Sequence, residues 1–375
     1  MDNDALPEEW EILRSWLPED LNALAKQCRF LRRARGLTDC ERWLRLILMH
    51  VAGGLSLEQT VVRARELELA QISGVALFKR LRQAEAWLKS LCQYLLEEQR
   101  SRLGRCDWPS QYRVRAIDAT DIQEPGSTGS AWRMHYSLTL PQLVCDHYEV
   151  TDQHGGESLG RFEFKKDELI LADRGYSRAP GVAQVLDSGA TLLMRWHTHA
   201  LPLQDRQGHA WDPLPSLRGL PKRGAGEWKV QFFHHGKVYR LRLCAIRKNR
   251  MAAERARRKA QAKAKADGCQ ISEETLELAQ YILVLTSLPS EFSSSQVLKL
   301  YRGRWQVELA FKRLKSLLAA GHVPKSNDQS ARAWMQAKIL TALLLERLLL
   351  EAKIFSPWGY HLPDLEPMEA HVGST

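Results

Sequence analysis

Apolar positions recur at helical spacing through the first hundred residues and at strand spacing after them. Over 41–53, Leu44, Ile47, Leu48 and Val51 share one face of a helix that stops at Gly53-Gly54. Ser56-Leu57-Glu58-Gln59 reads as the start of a second helix, which Ile72-Ser73-Gly74 ends. A third runs from Val75 through Leu81, Trp87, Leu88 and Leu91 to about Leu96. From 112 the period shortens. Segment 112–116 leads into Ile117-Asp118-Ala119-Thr120, and 132–140 and 143–151 are rich in aromatic and β-branched residues between turn signals. Asp152-Gln153-His154-Gly155-Gly156 is a turn, 168–172 an apolar run of strand length, 179–188 a helix and 190–196 another strand. Beyond it, Pro202, Pro213, Pro215 and Pro221 break the pattern. Segments 228–233 and 238–245 pair as a hairpin across His234-His235-Gly236-Lys237, 247–265 is an Ala-rich basic helix, and 281–285 is one more strand. The stretch 298–318 reads as one long helix with Leu300, Val307, Phe311, Leu314 and Leu318 as its apolar stripe.

These changes of period divide the chain into an all-α part at 1–105, an α/β part at 106–355 with an inserted subdomain at 200–282, and a tail at 356–375. With 375 residues, 44% of them hydrophobic, there is material for a sizeable core. A net charge of +10 favours a polyanionic partner, nucleic acid ahead of a membrane. MDNDALPEEW has no apolar run of the signal-peptide kind, and Glu346 and Arg347 interrupt the most apolar stretch, so a cytoplasmic protein without a membrane partner is expected. The seven cysteines are scattered and form no CxxC pair, which argues for reduced thiols and against structural zinc.

Beside the apolar stripe of 298–318 lies a second line: Tyr301, Arg304, Glu308 and Lys315. At about 100° per residue the four fall within roughly 60° of one another. A carboxylate set among cations suits a metal ligand whose neighbours hold a polyanion; a solvated face with intrahelical ion pairs is the alternative. The spacing Tyr-x2-Arg-x3-Glu-x6-Lys resembles the YREK signature of the insertion-sequence-four-like DDE transposases, and the surrounding RGRW and ELAFKRLKS resemble that group as well. The resemblance covers about 114–315 and implies an RNase H-like mixed-sheet catalytic domain, in keeping with three strands, a crossover, a strand, a helix and a fifth strand. It implies that Glu308 is the third of three carboxylates binding divalent metal.

Asp118 in Ile-Asp-Ala-Thr and Asp173 in Ala-Asp-Arg-Gly-Tyr each close an apolar strand, and both resemble the family's aspartate elements. Strand tips are rigid supports on which several oxygens can be aimed at one point. Asp121 competes with Asp118, and a turn or helix-capping role competes for both. The resemblance assigns two Mg²⁺ ions, with Mn²⁺ as a substitute, to Asp118, Asp173 and Glu308, and phosphate contacts to Tyr301, Arg304 and Lys315. It also implies double-stranded DNA as the partner, at transposon ends and target, a homodimer in the synaptic complex, association with the nucleoid, and a helical N-terminal domain that binds the transposon end. Basic residues at Arg63, Arg65, Lys79, Arg80 and Arg82 fit either a helix-turn-helix reader or a plain bundle. The family holds a flipped base on an aromatic residue of the insertion; Trp211 and Trp228 both qualify. His197 and His199 alternate on a strand and could share a metal or be ordinary surface histidines, and the Gly-rich 126–130 lacks the Lys of a phosphate-binding loop. The basic run 247–265, nine cations against Glu254, is a solvated face or a DNA-backbone contact. The function these features imply is cleavage at transposon ends followed by strand transfer; a catalytically silent DNA-binding repressor and a purely hydrolytic RNase H-like nuclease are the alternatives.

Overall fold

A computed structural model describes residues 9–31, 37–102, 109, 111–124, 126, 131–140, 142–221, 224–317, 319–324 and 327–354. The chain forms two units: Met1–Arg102 with Glu124–Gly126 and Leu314–Thr375, and Leu103–Gln123 with Ser127–Arg313.

The first unit is helical: α1 (Glu9–Ser15), α2 (Leu21–Gln27), α3 (Cys40–Val51), α4 (Leu57–Glu66), α5 (Gly74–Leu81) and α6 (Glu85–Arg102). Asp20, Asp39, Ser56 and Ser73 cap the starts of α2 to α5 by accepting backbone N–H bonds, and Gln59 completes a capping box on α4. Phe30 stacks on Trp87 at 4.5 Å and meets Trp43 edge-on. The unit also takes in a long C-terminal helix (Asp328–Ile354), whereas the pattern of the sequence assigns that stretch to the α/β part. The reason is burial: its Trp334, Ile339, Leu340, Leu343 and Leu344 need an apolar partner, and α6 supplies Leu88, Leu91, Cys92 and Leu95.

The second unit is built on an eight-stranded mixed sheet. Its strands are β1 (Arg113–Ile122), β2 (Trp132–Leu140), β3 (Val144–Asp152), β4 (Glu168–Ala172), β5 (Thr191–Arg195), β6 (Ala225–His234), β7 (Lys237–Arg247) and β8 (Tyr281–Thr286), in the order β3-β2-β1-β4-β5-β8-β7-β6. β1, β2 and β3 are antiparallel neighbours, while β1–β4 and β4–β5 are parallel. The first five strands thus have the RNase H-like arrangement. The crossover helix α7 (Ala179–Asp187) packs Val182 and Val185 on one face of the sheet, against Ile117, Ile170, Leu192 and Leu285.

The insertion is not wholly set apart. After α8 (Pro213–Arg218), β6 and β7 turn at His235 and Gly236, which both have positive φ (44° and 76°), as a two-residue hairpin requires. β7 pairs with β8, so the hairpin lengthens the main sheet because its apolar side joins the same core. α9 (Arg250–Ala266) and α10 (Glu273–Leu278) follow as an excursion between β7 and β8, and α9 buries no residue.

Segment 298–318 is not one helix. α11 (Ser294–Tyr301) ends in a 3₁₀ turn, Arg302–Arg304, before α12 (Trp305–Leu317) begins; Leu318 lies outside the described residues. The turn settles Gly303 over Leu140 and Leu171 of the sheet, where a Cβ would stand 3.4 and 3.5 Å from their methyls. This break lets Val297 before it and Val307 and Phe311 after it all be buried, while Leu300 is only half-buried. Arg242 of β7 anchors the approach to α11. Its guanidinium forks onto Glu227 at 2.8 and 2.6 Å and donates to the carbonyls of Leu288, Pro289 and Phe292.

Candidate active site

The register of β1 on β4 brings two carboxylates side by side. Ile117 pairs with Ala172, the last residue of β4, so Asp118 and Asp173 are the next positions on neighbouring strands. Both side chains project from the sheet face opposite the α7 core, because Ile117 and Ala172 point into that core and side chains alternate. The sequence pattern ends a strand at Asp118; β1 instead runs on to Ile122, held by β2, in which Tyr136 pairs with Asp118. It is only the parallel neighbour that stops there, and this opens the site. Asp173 precedes a 3₁₀ turn, Arg174–Tyr176, yet makes no capping hydrogen bond to it, so its carboxylate is not used up by its own backbone. Asp121, the competitor of Asp118, is exposed and paired with Arg133 at 2.9 Å.

The turn between α11 and α12 closes over these acids. Tyr301 Oη donates to Asp173 Oδ1 at 3.3 Å. Arg304 donates through Nη1 to Asp118 Oδ2 at 3.1 Å and through Nη2 to Glu308 Oε1 at 2.5 Å. One guanidinium therefore joins the first and third carboxylates, and a phenol holds the second. The Asp118 carboxyl is pushed up to about 6, chiefly by burial. Asp173 and Glu157 push the same way, while the Ala119 N–H and Arg304 oppose them. Burial also raises the Tyr301 phenol, with Asp173 adding to it, so Tyr301 remains a donor.

The structure adds a fourth carboxylate that sequence reasoning missed. Glu157 is half-buried against Gly175, where an alanine Cβ would stand 1.7 Å from its Oε2. Its carboxyl is raised by burial and by Asp173 and Asp121. Nearby, the Tyr176 hydroxyl is buried without a hydrogen-bond partner, and Asp118 and Glu157 both act on it. The glycine of Asp-Arg-Gly-Tyr leaves the room that this side chain occupies, but a glycine does not say which residue fills it.

Lys315 belongs to the helical unit; it is exposed, with its methylenes against Gly321. It takes no hydrogen bond or ion pair among the described residues. Trp211 and Trp228 lie 6.1 Å apart, half-buried against the sheet core. The His197 and His199 rings lie 6.1 Å apart, and neither forms an ion pair among the described residues. Apart from Gly126, the Gly-rich 126–130 lies outside the described residues. On the helical unit Arg80 donates to the Phe30 carbonyl, Arg82 bonds Gln329 and Arg63 pairs with Glu66, which leaves Arg65 and Lys79 as the open cations of the expected basic face.

Among the described residues no three His, Cys, Asp or Glu side chains stand close enough to hold a metal ion as they are. Arg304 stands between Asp118 and Glu308 as their shared counter-cation. The donor chemistry nonetheless fits a hard divalent ion. The candidate donors are all carboxylate oxygens, which a hard divalent ion prefers.

Asp118 and Asp173 on neighbouring strands, with Glu308 joined to the first through Arg304, are the kind of acidic donor set that metal-dependent phosphodiester chemistry uses. Residues 109–345 match the family described as the transposase DDE domain. The chain is 34% identical over 368 residues to the putative transposase InsL for insertion sequence element IS186A of Escherichia coli (strain K12), covering 93% of this chain and 96% of that one. It is also 34% identical over 369 residues to the transposase for insertion sequence element IS421 of Escherichia coli, with the same coverage. A solved structure, the piggyBac transposase synaptic complex with hairpin DNA, aligns with a TM-score of 0.41 and 11% identity over 95% of this chain and 84% of that one. The chain belongs to the DDE transposases of insertion-sequence elements, enzymes of DNA transposition in a family that uses divalent metal ions. No helix among the described residues is long and apolar enough to cross a membrane.

Proposed function

We propose that this transposase cuts DNA at the ends of its element and joins them to target DNA at one site formed by Asp118, Asp173 and Glu308. The observation that carries the reading is the Arg304 fork. It draws together Asp118 and Glu308, from segments far apart in sequence, beside an aspartate in register with the first. The three carboxylates hold two Mg²⁺ ions, for which Mn²⁺ substitutes; when bound, such ions neutralise phosphate charge and make water a stronger nucleophile. Tyr301 fixes the rotamer of Asp173 through its 3.3 Å bond, and Arg304 keeps Asp118 and Glu308 facing one another. The free N–H groups of Arg304 meet a DNA phosphate as a fork, and Lys315 meets one as a point charge. Hydrolysis of one phosphodiester frees a 3′-hydroxyl at the transposon end. That hydroxyl then attacks a target phosphodiester, forming the new P–O bond as the target's 3′-oxygen leaves. The helical unit binds the transposon end, and two copies of the chain bring two ends together.

The test is incubation of the purified chain with duplexes carrying the element's termini, with Mg²⁺ or with EDTA. Cleavage and strand-transfer products that require the metal and disappear in Glu308→Gln, with end binding retained, are expected. A Glu308→Gln variant that cuts at the wild-type rate overturns the assignment. Hydrolysis without joined products would make the protein a nuclease alone.

A further inference from the structure

The α/β unit holds a second feature, a cavity of about 320 Å³ between the ends of β5 and β8 and the excursion of α9 and α10. Its floor is apolar, with Trp196 and Tyr281 buried. Its lining is mostly basic: Arg174, Arg195 and Lys263 with His197 and His199, against a single acid, Asp267. Lys248 stands behind them. Its ammonium donates to the carbonyl of Ala279 on the cavity wall at 2.6 Å, and burial, then Arg195 and Arg174, depress it to about 8.

Arg174 and Lys263 are exposed and Arg195 half-buried, and none of these cations is held by an ion pair among the described residues. Elsewhere in the unit, buried arginines are paired: Arg115 with Asp146 and Glu168, Arg242 with Glu227, Arg304 with Asp118 and Glu308. Among the described residues Arg174, Arg195, Lys248 and Lys263 form no ion pair with any acid. Like charges gathered around a concave, partly apolar wall raise the local positive potential and draw an anion to it. Trp196 and Tyr281 belong to the α7-side core, and two of the cations link the cavity to the carboxylates on the other face. Arg174 follows Asp173 in the chain, and Arg195 acts on Tyr301, whose hydroxyl holds Asp173.

The geometry points to a phosphate-binding cavity: its mouth, framed by Arg174, Arg195 and Lys263, takes a backbone phosphate of the DNA strand that passes over the carboxylates. The identity of that strand rests on the transposase reading above. DNA is preferred to a free nucleotide because the charge continues outward along α9, whose 17 residues bury nothing. A lone nucleotide has no use for such an extended cationic face, whereas successive backbone phosphates do.

The test uses the full chain with the double substitution Arg195→Gln and Lys263→Gln, beside Lys263→Gln alone, which changes an exposed side chain. Affinity for a generic duplex and for a single strand is measured by fluorescence anisotropy across a range of salt. The double variant is expected to bind about 10-fold or more weakly, and the slope of log affinity against log salt to fall by about 1–2, with Lys263→Gln part of the way. The charge-keeping pair Arg195→Lys and Lys263→Arg should retain both. Unchanged affinity and slope in the double variant overturn the proposal. So does a melting-temperature rise with deoxyadenosine monophosphate that the double variant loses while its DNA affinity is kept, since the cavity would then serve a free nucleotide. Metal-dependent cleavage by the wild-type chain is scored separately. Its absence with the DNA effect present defeats the transposase site and not the cavity; its presence with no DNA effect does the reverse.

Discussion

Arg304 Nη1 lies 3.1 Å from Oδ2 of Asp118, 186 residues away in the chain, while its other terminal nitrogen holds Glu308 one helical turn on. A single fork therefore sets the separation of two acids that β1 and α12 carry independently. Removing it as Arg304→Ala leaves like charges to repel, and cleavage should fall about 100-fold or more. Arg304→Lys should recover only a small part, because one ammonium cannot serve both carboxylates in a plane. Single-turnover cleavage rates at saturating DNA test this, and a Lys variant as fast as wild type would discard the fork as the organising contact.

Asp118 makes stability depend on pH in a defined direction. Its folded pKa is raised from 3.8 to about 6, so between those values the folded protein binds more protons than the unfolded one. Stability of the metal-free protein then falls as pH rises through that window, by an amount on the order of 2–3 kcal/mol that persists above it. Asp118→Asn should accordingly melt higher than wild type in EDTA at pH 7 and lose that advantage near pH 4. Magnesium should narrow the difference at pH 7 by stabilising only the carboxylate form. Melting curves at the two pH values decide it.

Glu157 enters the same titration. Its charge is among the groups that raise Asp118, after burial and Asp173. In Glu157→Gln the acid limb of the pH–cleavage profile should move to lower pH by a few tenths of a unit, with the plateau little changed if the role is electrostatic alone. Gly175→Ala should disturb the same group by steric means, since the new Cβ falls on Glu157 Oε2 and the carboxylate has to swing away. Matching pH profiles for the two variants would tie the glycine to the glutamate.

Arg115 tests the sheet rather than the chemistry. It is 3% exposed, with Nε 2.7 Å from Asp146 and Nη1 2.7 Å from Glu168, and it bonds Ser137 and the Glu163 carbonyl. Arg115→Ala takes the nearest cation from two buried acids, leaving Asp146 the longer contact to Arg113 at 3.5 Å, and should cost about 3–5 kcal/mol. Adding Asp146→Asn and Glu168→Gln should return part of that loss, as urea melts followed by tryptophan fluorescence would reveal.

How much of this was legible beforehand follows from range. Local pattern carries the strands, the crossover helix and the Tyr301–Arg304–Glu308 line, because periodicity and spacing within a turn or two are written in neighbouring residues. The comparison of Asp173 with a capping residue could not be made that way, since a missing capping bond is visible only in three dimensions. The 3₁₀ turn at Gly303 hides inside a sequence of good helix formers, because the sheet below it dictates the break. Glu157 and the cations around the cavity come from four or more separate segments, and no period connects them. The Asp328–Ile354 helix has apolar residues in plenty, yet nothing in them names α6 as their partner.

Strand pairing admits only two parities, and the match of Ile117 with Ala172 selects one of them. Slipping β4 by a single residue would turn Asp173 toward the α7 side and leave Asp118 facing empty sheet. Chain length is therefore unequal in its consequences along this protein. The excursion through α9 and α10 can lengthen or shorten without disturbing that parity, whereas one residue gained or lost within 113–118 or 168–173 would displace the acids and the core side chains together.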